Sequence, residues 1–166
     1  MPTLLVMRHA KSAWDTGETD HERPLNARGR RQSLEMGEWI QEEYPHLDLV
    51  LCSTSKRTRQ TLARVQEGSV EAADVQFRRE IYEAGVFDVL PLLLNVADGV
   101  ETVLLLGHFP GVADLVDHLV GDDGREASGE FVTSGVAVLT FEEAWSELRP
   151  GSATLTAFEI PTRRRD

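Results

Sequence analysis

The stretch Thr102-Val103-Leu104-Leu105-Leu106-Gly107-His108-Phe109-Pro110-Gly111 sets the fold class. Residues 102–106 form an apolar run without the alternation of a half-exposed strand, which is the pattern of a strand covered on both faces. After Pro110 the period changes. Val112, Leu115, Val116, Leu119 and Val120 fall at i, i+3, i+4, i+7 and i+8, one apolar helical face, before Gly121 stops the helix.

The same grammar repeats outward from this unit. Further apolar runs of strand length occur at 3–7, 49–52, 132–140 and 154–160, with a shorter candidate strand at 75–79. Asn26 is an N-cap for a helix over 27–43 and Ser55 for one over 56–67; a third helix spans 86–96 and carries Pro91. Strands alternating with helices predict a three-layer α/β/α sandwich with a mostly parallel central sheet. Residues 121–130, with Gly121, Gly124 and Gly129 among acidic residues, read as a surface loop, and 163–166 as a disordered basic tail.

Composition agrees with one folded domain over residues 1–166: 41% of the residues are hydrophobic and 27% charged. Seventeen Lys and Arg against 28 Asp and Glu give a net charge of −11, which argues against a nucleic-acid or anionic-membrane binder held by a positive field. The first residues lack a signal-peptide pattern, and no apolar segment reaches the roughly 20 residues of a spanning helix, so the chain reads as cytoplasmic. Cys52 is the single cysteine, which excludes an internal disulfide; following Leu49, Val50 and Leu51, it reads as an inert core thiol.

Three of the apolar strands end in polar residues: Arg8-His9, then residues 53–59, then Gly107-His108. Ligands of open α/β sheets bind beyond the carboxyl ends of the strands, so these groups should converge on an anion site. Lys56, Arg57 and Arg59 sit in the first turn of a predicted helix, where the macrodipole disfavours cations, and something negative should compensate them. A bound phosphate would do so, and so would acidic neighbours in a chain this acidic. A metal site from the five histidines lacks His-Glu-x-x-His spacing. His21, His46 and His118 read as surface or structural.

With these residues assembled, a family becomes visible. Arg8-His9-Ala10-Lys11-Ser12-Ala13-Trp14-Asp15 resembles the Arg-His-Gly-x-Ser-x-x-Asn signature of the histidine phosphatase (phosphoglycerate-mutase-like) superfamily, and Gly107-His108-Phe109-Pro110-Gly111 resembles its second-histidine motif. Pro24-Leu25-Asn26-Ala27-Arg28-Gly29 is similar to its Leu-Thr-x-x-Gly helix start, and residues 53–61 to its Ser-Pro-x-x-Arg-x-x-Gln-Thr segment. The short chain is nearest the phosphohistidine phosphatase branch of SixA type. Three departures stand out: Ala10 replaces a glycine, asking whether that position needs positive φ; Asp15 replaces an asparagine; Thr54 replaces a proline.

The resemblance implies a metal-independent phosphatase with no cofactor, acting through a phosphohistidine intermediate on His9. Arg8 and Arg57 would keep His9 neutral by charge repulsion and, with His108, stabilise the transferring phosphoryl group. Glu83 lies where the superfamily places its acid, with Asp20 and Glu22 less favoured. Ser12, Asp15, Arg23 and Ser53 are implied as substrate-binding. The substrate would be a phosphorylated protein, phosphohistidine favoured. The alternatives are a small phosphate ester, or a phosphate-binding module without catalysis. Whether the chain is a monomer or a dimer stays open.

Overall fold

A computed structural model describes residues 1–14, 16–121 and 131–162. The elements run β1 (Thr3–Arg8), α1 (Ala27–Glu43), β2 (His46–Leu47), β3 (Leu49–Ser53), α2 (Lys56–Glu67), β4 (Glu71–Ala72), β5 (Val75–Arg78), α3 (Val86–Leu94), β6 (Thr102–Gly107), α4 (Gly111–Val120), β7 (Val136–Thr140) and β8 (Thr154–Glu159). Both expected caps form: the side chain of Asn26 accepts from Gly29 N, and that of Ser55 from Thr58 N. The third helix ends at Leu94, two residues short of expectation, where Asn95 caps it by donating from its backbone to the carbonyls of Leu93 and Pro91.

Six strands form one sheet in the order β5-β3-β6-β1-β7-β8. The four on the β5 side run parallel, while β7 and β8 pair antiparallel, so the sheet is mixed. Alternate residues of each strand face opposite layers. Leu4, Val6, Leu51, Val103 and Leu105 pack with Val89 and Leu93 of α3 and with the apolar face of α4. Leu5, Met7, Val50, Cys52, Leu104 and Leu106 pack with Met36 and Ile40 of α1 and with Leu62 and Val65 of α2. Coverage on both faces is why these strands carry no polar alternation. Each such leucine taken fully out of water contributes about 1.5–3 kcal/mol.

The expected strand over 132–140 is shorter than its sequence suggested. Residues 131–135 form a turn in which Ser134 has φ 64° and its N–H is shared between the carbonyls of Arg8 and His9. That turn is bound to the end of β1 and cannot also pair as strand. The predicted loop at 121–130 beyond Gly121 and the tail at 163–166 lie outside the described residues. Among the described residues no helix is long and apolar enough to cross a membrane.

Candidate active site

Strand register brings the two histidines together. Arg8 pairs with Gly107 across the β1–β6 ladder, and His9 N donates to Gly107 O at 2.9 Å, so the residues leaving the two strands, His9 and His108, lie side by side. Their ring centroids are 5.2 Å apart. Cys52 pairs with Leu106 on the other edge of β6, which puts Ser53 beside Gly107; Ser53 Oγ and His108 Nε2 are hydrogen-bonded at 2.8 Å.

The His9 ring is fixed by its own chain. Nδ1 donates to Ala10 O at 2.7 Å, which assigns the proton to Nδ1 and leaves the lone pair on Nε2. Ala10 is held in turn: its N–H donates to Thr61 Oγ1 at 2.9 Å, and Thr61 donates to Arg57 O, one helical turn back on α2. Burial, and after it the charges of Arg57, Arg8 and Arg23, lower the His9 pKa to about 4; the Ala10 carbonyl opposes this. Arginine repulsion, expected from sequence as the cause, is thus second to desolvation. Burial, then His9 and Arg57, push His108 down to about 3. Both rings are neutral near pH 7.

Each of the two arginines expected to grip phosphate is partly committed. Arg8 Nη1 donates to Phe131 O at 2.7 Å, and its guanidinium lies 4.9 Å from the Phe109 ring centroid. Arg57 donates from Nη1 to Asp20 O at 2.7 Å and from Nη2 to Asp20 Oδ2 at 3.1 Å. Arg8 Nε, Arg57 Nε and His108 Nδ1 are buried with no hydrogen-bond partner among the described residues. Three unpartnered donors or donor-capable nitrogens around one neutral histidine are unusual in an interior, where buried polar groups are almost always paired.

Cations at the start of α2 are compensated by the chain itself. Asp20 pairs with Arg57, Glu22 pairs with Arg59 at 3.2 Å, and Glu18 lies within electrostatic range of Lys56. Acidic neighbours, one of the two sources open at the level of sequence, therefore meet the demand at least in part, and Arg57 Nε has no hydrogen-bond partner among the described residues.

The sequence profile of the histidine phosphatase superfamily (branch 1) matches residues 4–89, the segment that supplies Arg8, His9, Arg57 and their supports. The chain belongs to that superfamily. An uncharacterized protein of Mycobacterium tuberculosis is 38% identical over 161 residues, covering 93% of this chain and 99% of the relative. The structure of a candidate SixA phosphohistidine phosphatase from Nakamurella multipartitia superposes with a TM-score of 0.87 at 33% identity, over 98% of this chain and 97% of that one. The protein histidine phosphatase SixA complexed with tungstate superposes with a TM-score of 0.82 at 27% identity, over 96% and 97% of the two chains. The fold is phosphoglycerate-mutase-like, and the family is one of phosphatases.

In this histidine phosphatase the residues implied as substrate-binding separate into groups. Ser12 accepts from Arg23 Nη1 at 2.9 Å, and Arg23 also clasps Asp20 and stacks its guanidinium 4.0 Å from the Trp14 ring centroid. Ser53 is fully buried and spent on His108. Asp15 lies outside the described residues. Glu83 is exposed at φ 53°, and among the described residues its carboxylate makes no hydrogen bond. Its neighbour Tyr82 lies against the site, its ring 5.5 Å from that of His108 and its hydroxyl donating to Asp20 Oδ2 at 2.5 Å.

Ala10 does not adopt positive φ and is fully buried, so alanine carries no backbone penalty there. Thr54 gains a contact a proline lacks, Oγ1 bonding His21 Nε2 at 2.9 Å; His21 thus braces Tyr82, whose ring it meets edge-on at 4.9 Å. Cys52 is buried with its thiol pushed up to about 12, an unreactive core group. Sequence reasoning missed Tyr82, and met Thr61 only as the last residue of a family segment without giving it a role. Thr61 carried a signal, since i+4 from Arg57 places both on one helical face.

Proposed function

We propose that this protein releases phosphate from a phosphorylated protein, with phosphohistidine as the favoured substrate group. The supporting observation is the state of His9: neutral, with Nδ1–H held by the Ala10 carbonyl and Nε2 carrying a lone pair among Arg8, Arg57 and His108. Nε2 attacks phosphorus, the bond from phosphorus to the leaving atom breaks, and the leaving group takes up a proton. Water then attacks phospho-His9, giving inorganic phosphate and restoring the neutral ring. The arginines and His108 stabilise charge on the transferring oxygens.

Chemistry of the leaving group favours phosphohistidine over an alkyl ester. The carboxyl held between the site's arginines, Asp20, is kept well below the usual range by the Tyr82 hydrogen bond and by Arg57 and Arg23, so it is ionised and has no proton to give. Tyr82 is pushed up to about 12, mainly by burial and then by Asp20. An imidazole leaving group tolerates that deficit better than an alkoxide does. The SixA relatives are named as phosphohistidine or protein histidine phosphatases, which supports the same substrate class.

The test is phosphate release, without added metal, from a phosphohistidine-bearing protein and from a small phosphate ester, by wild type and by His9→Ala. Release from the protein substrate that disappears in His9→Ala is the expected result. Release unchanged in His9→Ala, or absent from wild type on both substrates, overturns the reading; faster release from the ester replaces the substrate class.

A further inference from the structure

The Asp20 carboxylate is the most heavily bonded group of the site, yet its segment reaches it from outside the sheet. It follows β1 and begins a short 3-10 turn at Asp20–Glu22. Oδ2 accepts from Arg57 Nη2 at 3.1 Å and from the Tyr82 hydroxyl at 2.5 Å; Oδ1 accepts from Arg23 Nε at 3.2 Å and Nη2 at 3.1 Å; the main-chain carbonyl accepts from Arg57 Nη1 at 2.7 Å. The Asp20 side chain is about half exposed (49%), whereas that of Arg57 is 8% exposed, so the bonds converge on an arginine that cannot leave the interior without cost.

A guanidinium presents five N–H groups in one rigid plane, and two forks are available to oxyanions: the terminal pair Nη1 and Nη2, and the side pair of Nε with its neighbouring Nη. Asp20 occupies the terminal pair, one nitrogen through its main chain and the other through its carboxylate. On the side edge Nε is buried and, among the described residues, has no hydrogen-bond partner. Arg57 is 5.9 Å from the Tyr82 ring centroid, and the Tyr82 ring in turn stands edge-on to His21 and His108, so Tyr82 fixes the carboxylate from the side away from Arg23.

We propose that Asp20 is a positioning residue: by holding the terminal fork of Arg57, with Tyr82 locking the carboxylate in place, it turns the Nε edge of the guanidinium toward the phosphoryl group on His9. This rests on the phosphatase reading above. Asp20 does not touch the substrate and transfers no proton; it decides which edge of Arg57 the substrate meets. The role runs against simple electrostatics, under which deleting a carboxylate beside an anion site tightens anion binding. The sign of the effect therefore separates the two.

The experiment measures tungstate affinity by calorimetry, and kcat and KM for phosphate release, in wild type, Asp20→Ala, Asp20→Asn, Tyr82→Phe, Arg57→Ala and the Asp20→Ala/Arg57→Ala double variant. Expected are a loss of tungstate affinity of at least tenfold in Asp20→Ala, a smaller loss in Asp20→Asn, a loss in the same direction in Tyr82→Phe, and less than a twofold further effect of Asp20→Ala once Arg57 is absent. Unchanged or tighter tungstate binding in Asp20→Ala and Tyr82→Phe overturns the proposal, as does an additive double variant or a wild type that binds no tungstate. Should Asp20→Ala fail to fold, Tyr82→Phe, which removes one hydroxyl, decides the same question. Wild type that binds tungstate but releases no phosphate overturns the phosphatase reading, and the tungstate comparison still judges Asp20.

Discussion

Thr61 shows how far below the surface the geometry of the candidate site is held. Its hydroxyl accepts from Ala10 N and donates to Arg57 O, tying the loop that carries the His9 acceptor to the helix that carries Arg57, and it is fully buried. Thr61→Val keeps the shape and removes both bonds, leaving a buried N–H unsatisfied at a cost of about 1–3 kcal/mol. We expect a lower unfolding midpoint in a denaturant titration and a fall in kcat larger than the change in KM, since the displaced element is the His9 support. Equal stability and kcat would remove Thr61 from the machinery. The family pattern matched at Gln60-Thr61 made this residue visible in the sequence, but its two partners, 51 residues away at Ala10 and four away at Arg57, come together only once α2 lies under β1.

Among the elements, α1 and α2 approach each other through glycines, and the cost of filling them differs by position. A Cβ on Gly37 would come within 2.5 Å of Val65 O, in the middle of the α1–α2 contact, whereas one on Gly29 would collide with Lys11 O, in the loop leaving His9. Backbone cannot rotate away as a side chain can, so both substitutions force an element to move, at about 1–3 kcal/mol. Gly37→Ala should lower the thermal midpoint by several degrees and leave kcat within twofold, while Gly29→Ala should lower kcat as well, because Lys11 carries the chain between Ala10 and Ser12. Differential scanning calorimetry with steady-state rates checks both; equal effects on kcat would show that the loop is not coupled to α1. These helices were legible to the residue, because a cap and a 3.6-residue period are local signals. The strand over 132–140 was overextended, because its first residues are bound to Arg8 and His9 from far along the chain.

For the whole molecule, pH couples the site to stability. His9 and His108 lie at about 4 and about 3 when folded, against about 6.5 for an ordinary histidine, so below pH 6.5 the unfolded chain binds protons that the folded one refuses. Their contribution is complete above pH 6.5 and is lost as pH falls toward 4 and 3. Asp20, held below the usual carboxylate range, acts in the same direction at still lower pH. Loss of negative charge relieves the repulsion of a chain with net charge −11 and works the other way, so the test is a difference. Between pH 7 and pH 4 the unfolding free energy of wild type should fall more steeply than that of a His9→Gln/His108→Gln variant. Parallel curves would mean that the histidines titrate normally.

The amino-acid sequence by itself determined the layers, the bounds of α1 and α2 and the strand ends that carry Arg8, His9, Ser53 and His108, because hydrophobic period, caps and strand-terminal polarity are written within a few residues of where they act. Tertiary structure alone decided that β6 lies between β3 and β1 and that the last two strands run antiparallel. It also decided that Tyr82 reaches Asp20, and that Arg57 meets Asp20 through Nη1 and Nη2 while its Nε has no hydrogen-bond partner among the described residues. Arg57 and Asp20 are 37 residues apart and Tyr82 and Asp20 are 62 apart. A hydrogen bond is directional and short-ranged, so which partners it joins is settled only when the packed sheet and helices fix where each side chain stands.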